Sequence, residues 1–128
     1  MAETSVISNV RRVNLCKLTS GAITTMPAVT HIAFGDGGVD AGGNPVTPSE
    51  TQTALKREIA RYPIAGVEYP VGTTARYTVT IPKEDLAGEK ISEAALVDSS
   101  GALCAIKTMY VKQKDEGVSF AFTFDDEF

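Results

Sequence analysis

The chain has 128 residues, a 43% hydrophobic content and a formal charge of −4, with a calculated pI near 4.9. Those values predict one domain, residues 1–128, large enough to bury a real core, and they argue against intrinsic disorder. They exclude the basic footprint of a nucleic-acid binder, and no apolar run approaches the ~18 residues that span a bilayer.

Met1 to Ser5 carries no basic segment and is followed by no apolar one, so no signal peptide is expected. Residues 5–18 read as a helix. Val6, Val10 and Val13 follow the helical period, with Ile7 and Cys16 on the same face, Thr4 or Ser5 as cap and Gly21 just past the end. Arg11, Arg12 and Lys17 then fall on the solvated side. Cys16 and Cys104 are 88 positions apart among apolar neighbours, without the CxxC spacing of redox or metal chemistry. Both are expected as reduced, buried thiols.

Val29 to Phe34 reads as a strand that runs into the glycine-rich loop Gly35-Asp36-Gly37-Gly38-Val39-Asp40-Ala41-Gly42-Gly43-Asn44. Ser49 and Gln52 have the spacing of a capping box after Pro48, so a short internal helix to about Arg57 is expected, followed by a strand to Ile64. The alternation of Tyr77, Val79 and Ile81 with Thr78 and Thr80 predicts a strand that is apolar on one face. Asp85 to Gly88 is a polar turn. Asp98-Ser99-Ser100-Gly101 fits a four-residue hairpin loop between apolar arms, Ala94–Val97 and Ala102–Ile106. In the last strand Val118, Phe120, Phe122 and Phe124 share one face, and the acidic tip Asp125-Asp126-Glu127 discourages edge-to-edge pairing. The expected fold class is α+β: a small antiparallel sheet or sandwich-like domain, its β-rich body spanning about 29–124, with the N-terminal helix and the short internal helix.

Site chemistry is sparse. The glycine loop lacks G-x-G-x-x-G and is followed by no GK[ST], so it carries no phosphate-binding signature. Asp36, Asp40 and Asn44 offer oxygens every fourth residue and are the candidate calcium ligands. A calcium loop would place oxygens more densely and add a bidentate Glu. A surface loop whose glycines take positive φ explains the segment better. His31, the one histidine, lies beside an apolar strand and reads as structural rather than as a catalytic base. No nucleophile motif, zinc motif or cofactor fingerprint occurs, so no catalytic residue, metal site or cofactor is expected. Glu84, Asp85, Glu89 and Glu93 read as carboxylates of a solvated turn. Lys56, Arg57 and Arg61 read as a face for water or for a partner's acidic patch.

The segment Thr30-His31-Ile32-Ala33-Phe34-Gly35-Asp36-Gly37-Gly38, followed by Thr47-Pro48, Gln52-Thr53-Ala54-Leu55 and Glu58-Ile59, resembles the N-terminal domain of phage tail-collar fibre proteins. Ile91 to Asp98 and Gly101 to Thr108 are similar to the same family, where a strand with an acidic residue leads into an Asp-x-x-Gly hairpin and a returning apolar strand. The resemblance implies a non-enzymatic structural part of a phage or prophage tail, near the baseplate or the fibre attachment point. It also implies association with other tail or baseplate proteins and self-association, a trimer being one form. Such a part would be made in the bacterial cytoplasm and end in the virion tail. Longer family members continue into a shaft or receptor-binding region. A chain ending at Phe128 is better suited to a connector than to receptor recognition. The competing reading is a small ligand- or calcium-binding module built on loop 35–44.

Overall fold

The computed structural model describes residues 3–128. Strand β1 (Glu3–Ile7) leads into helix α1 (Asn9–Thr19), and seven strands follow: β2 (Val29–Gly35), β3 (Glu58–Pro63), β4 (Gly66–Val71), β5 (Thr74–Ile81), β6 (Lys90–Asp98), β7 (Leu103–Gln113) and β8 (Phe120–Glu127). They form a five-stranded sheet in the order β1-β7-β6-β2-β3 and a three-stranded sheet in the order β4-β5-β8. All pairings between these strands are antiparallel.

The two sheets pack face to face. Ile32, Phe34, Ala94, Leu96, Cys104 and Met109 of the larger sheet meet Val79, Ile81, Phe122 and Phe124 of the smaller one in a single buried cluster. Phe34 stands edge-on to Phe122, with ring centroids 5.1 Å apart at 86°. Burial of each large apolar side chain is worth about 1.5–3 kcal/mol, and this layer is the main source of stability. The alternation read in β5 and β8 places Tyr77, Val79 and Ile81 opposite Phe124, Phe122 and Phe120.

A smaller apolar cluster forms on the other face of the five-stranded sheet. Ala33, Ala95, Val97, Leu103 and Ile106 are covered there by Leu55, with Val6 at the margin. Leu55 arrives on the long segment between β2 and β3, which therefore lies across the outer face of the sheet. This explains the continuous apolar runs in β6 and β7: both their faces are covered.

Four expectations are corrected. First, the helix begins at Asn9, not near residue 5. The β-branched residues Val6 and Ile7 pair instead with Ile106 and Ala105 of β7, as their strand preference favours. Ser8 is the cap, its Oγ accepting from the Arg11 amide at 3.2 Å, and Gly21 with φ 84° lies just past the C-cap, Ser20. Second, among the described residues α1 is the only helix. Ser49 forms a local turn in which its Oγ accepts from the Thr51 amide and its carbonyl from the Gln52 amide. A helix of so few residues is marginal alone, and this segment must stay open enough to deliver Leu55 to the sheet.

Third, Val118 lies before β8 and is 56% exposed, so the inward row is Phe120, Phe122, Phe124 and then Asp126. Fourth, α1 turns outward the face expected to be buried. Val10 and Val13 are 42% and 50% exposed and Cys16 is exposed, while Arg11 is the helix's buried residue. Cys104 is buried as expected.

Candidate functional site

The glycine loop sits on a carboxylate. Glu93 of β6 lies on the outer face of the five-stranded sheet and is 1% exposed. Its Oε2 accepts hydrogen bonds from the amides of Gly37 at 2.8 Å and Arg57 at 2.9 Å, and its Oε1 accepts from the amide of Lys56 at 3.0 Å. Beside it, the Ser92 hydroxyl accepts from the amide of Gly38 at 2.9 Å. Both ends of the long β2–β3 segment are thus tied to two adjacent residues of β6.

That closeness dictates glycine. A Cβ at Gly38 would lie 2.0 Å from the Ser92 carbonyl oxygen, and one at Gly35 would lie 2.4 Å from the Arg57 carbonyl oxygen. Backbone atoms cannot move aside as a flexible side chain would, so these glycines serve close approach. The distal part of the loop is stitched locally. Asp40 Oδ1 accepts from the amides of Gly42 and Asn44 at 2.9 and 3.0 Å, and Gly43 has φ 82°.

The candidate calcium ligands are therefore placed differently. Asp40 and Asn44 share the loop tip, with Asp40 bonded to the Asn44 amide. Asp36 lies at the base, its carboxylate 3.5 Å from the Arg57 guanidinium. Among the described residues no group of three or more His, Cys, Asp or Glu side chains is arranged to hold a metal ion. His31 is half-buried on β2, its Nδ1 2.9 Å from the Thr30 hydroxyl. Lys56, Arg57 and Arg61 are exposed, with Arg61 paired to Glu58 at 2.9 Å. The expected acidic turn is divided: Glu84 and Glu89 are exposed, Asp85 accepts from the Tyr62 hydroxyl at 3.0 Å, and Glu93 belongs to the buried anchor. Burial, then the bond to Asp85, pushes the Tyr62 hydroxyl up to about 12.

A second polar connection joins the helix to the smaller sheet. Arg11 donates from both terminal nitrogens to the two carboxylate oxygens of Asp126, at 2.6 and 2.5 Å, with the side chains 7% and 2% exposed. The ring of Phe128 covers the guanidinium at 4.8 Å. Burial alone would lower the Arg11 pKa; the hydrogen bond and charge of Asp126 outweigh it and raise the value. The helix is further held by polar contacts at its start: Ser8 Oγ donates to the Leu103 carbonyl at 2.6 Å, and the Asn9 amide to the Glu50 carbonyl at 2.9 Å.

Sequence reasoning missed Arg11, Asp126 and the anchoring role of Ser92 and Glu93. Signals existed for two of these. Asp126 continues the inward parity of the phenylalanines, and Ser92-Glu93 interrupts an otherwise apolar run in β6. Arg11 carried none, because the helical period pointed to the opposite face.

A third buried residue with its own hydrogen-bond network is Asp98 at the β6–β7 turn. Its Oδ1 accepts from the Ser100 amide, the Ser100 hydroxyl and the Ala102 amide. Gly101, the last residue of that turn, takes φ 89°. Burial, followed by the charge of Asp98, pushes the Cys104 thiol up to about 12, which makes it unreactive near neutral pH.

Three of the buried carboxylates are thus spent on the protein's own amides, hydroxyls or guanidinium. Among the outward side chains are large apolar ones: Val10 and Val13 on α1, Val67, Tyr69 and Val71 on β4, and Tyr110 and Val111 on β7 are each 42–71% exposed. Among the described residues no helix is long and apolar enough to cross a membrane. Fold and site together define a two-sheet β domain whose polar interior is devoted to holding its own segments in place.

A family model described as phage tail-collar fibre protein, N-terminal, matches residues 5–120, and the chain belongs to that family. Members are typically structural and non-enzymatic components of the virion tail that associate with other tail proteins. Two of the stretches that carried the resemblance, 30–38 and 91–98, are bound together through Ser92 and Glu93. No curated protein and no solved structure matches the chain.

Proposed function

We propose that this chain is a non-enzymatic assembly piece of a phage or prophage tail, seated near the baseplate or the fibre attachment point. It folds as one unit, self-associates and meets other tail proteins through its exposed apolar residues. It is made in the bacterial cytoplasm and carried into the tail. The observation that carries this reading is the family match over residues 5–120. The exposed apolar residues of α1, β4 and β7 support it, since such residues grouped on one element suit contact with another protein.

Cross-linking of purified phage particles followed by mass spectrometry tests the proposal. The expected result is this chain in intact particles, joined to baseplate or fibre-attachment proteins. Its absence from intact particles, with abundance in the lysate, would contradict it.

A further inference from the structure

Strand β4 lies at the edge of the smaller sheet, and its outer edge is spoiled for pairing by Pro70 and by the register shift between Glu68 and Val71. All six of its residues are nevertheless exposed. The strand therefore offers side chains for contact rather than a backbone edge for strand addition. Tyr69, 71% exposed, is the most exposed large apolar side chain among the described residues, and Val71 follows two positions on. A tyrosine brings a large, rigid contact surface at low conformational cost, as interface anchors do.

The charge around Tyr69 is negative. In the sheet register Glu68 stands opposite Arg76, and Arg76 opposite Asp125. One guanidinium thus faces two carboxylates, and it is bonded to Asp125 at 2.8 Å. Glu127 lies on the same face as Asp125 and makes no ion pair among the described residues.

Helix α1 carries the complement. It has three cations and no acid. Arg11 is consumed by Asp126, which leaves Arg12 and Lys17 on the solvent side. Arg12 shares an exposed pair with Glu50, and Lys17 makes no ion pair among the described residues. Both border a shallow groove of about 480 Å³, together with Asn9, Val13 and Cys16. The apolar side chain in that groove is Val13, which the helix turns away from its own body.

We propose that Tyr69 of one copy seats in the α1 groove of a second copy, its ring against Val13 and beside the cations of Arg12 and Lys17, with Glu68 facing Lys17. Cations are attracted to an aromatic face, and the opposed charges fix the orientation. The two patches differ, so the contact is head-to-tail and every copy offers one of each, as a closed ring requires. This contact rests on the self-association put forward above and names its two surfaces.

The wild-type chain carries its own probe, because Cys16 lines the groove and is exposed while Cys104 is buried. At a concentration where light scattering shows the assembly, Cys16 should react with a maleimide roughly tenfold more slowly than in Tyr69→Glu. Tyr69→Glu and Val13→Glu should each be monomeric, with unchanged circular dichroism spectra. Mixed in equal amounts, the two variants should form heterodimers, since one keeps the tyrosine and the other keeps the groove. Monomers that do not combine on mixing would overturn the head-to-tail contact. An assembly that persists in either variant, with Cys16 as reactive as in the wild type, would overturn these surfaces while leaving self-association standing. A wild-type monomer would overturn both.

Discussion

The glycine-loop anchor and the helix anchor solve the same problem with different chemistry. Each buries one carboxylate to hold a distant segment. Glu93 is met by three backbone amides, Asp126 by one guanidinium. The donors of the first belong to the main chain and survive any substitution except to proline. The donor of the second is a side chain. Removing Glu93 therefore strands partly buried N–H groups, whereas Arg11 and Asp126 can be removed together. The first anchor is indispensable to this loop path, and the second is exchangeable.

The largest expected effect falls on the loop. Glu93→Leu fits the apolar strand by volume but leaves three partly buried amides without their acceptor, and should cost about 3–5 kcal/mol in urea unfolding. Gly38→Ala should cost about 3 kcal/mol or more, because the new methyl would meet the Ser92 carbonyl. Either change costing less than about 1 kcal/mol would erase the contrast.

On the helix side, Arg11→Ala strands the buried Asp126 carboxylate and should cost about 3–5 kcal/mol. The double change Arg11→Met with Asp126→Leu should recover most of that stability. A double mutant no more stable than the single one would show that both anchors are of one kind.

A smaller effect comes with alkali. Tyr62 and Cys104 both have folded values near 12, above their ordinary 10 and 9. The folded state keeps protons that the unfolded chain has lost. Their contribution is complete below pH 9 and falls as the pH rises from 9 toward 12. Urea midpoints measured across that range should drop, and Tyr62→Phe with Cys104→Ala should flatten the decline. The smallest effect belongs to the exposed Arg12–Glu50 pair, where Arg12→Ala should change stability by about 1 kcal/mol or less.

The same contrast explains what the sequence reveals. The inward rows of β5 and β8, the Asp98–Gly101 turn and the strand entering the glycine loop are all local patterns, carried by period-two alternation or by turn residues. The glycines also announce a special backbone. Their reason is not local: it lies in Ser92 and Glu93, more than fifty residues on. Arg11 was hidden for a different reason. Helical periodicity assigns a buried face by hydrophobicity, and here the helix docks through a charge while its valines face outward. The expected second helix failed likewise, because the tertiary need for Leu55 on the sheet and for the amides of Lys56 and Arg57 at Glu93 outweighed a cap signal.

The glycine loop is fastened to the sheet at both ends. Amide hydrogen exchange read by NMR tests this most directly, at Gly37, Lys56 and Arg57. These three amides should exchange as slowly as those of β6, while that of Ala41 at the exposed loop tip exchanges quickly. Exchange of all three at the rate of Ala41 would contradict it.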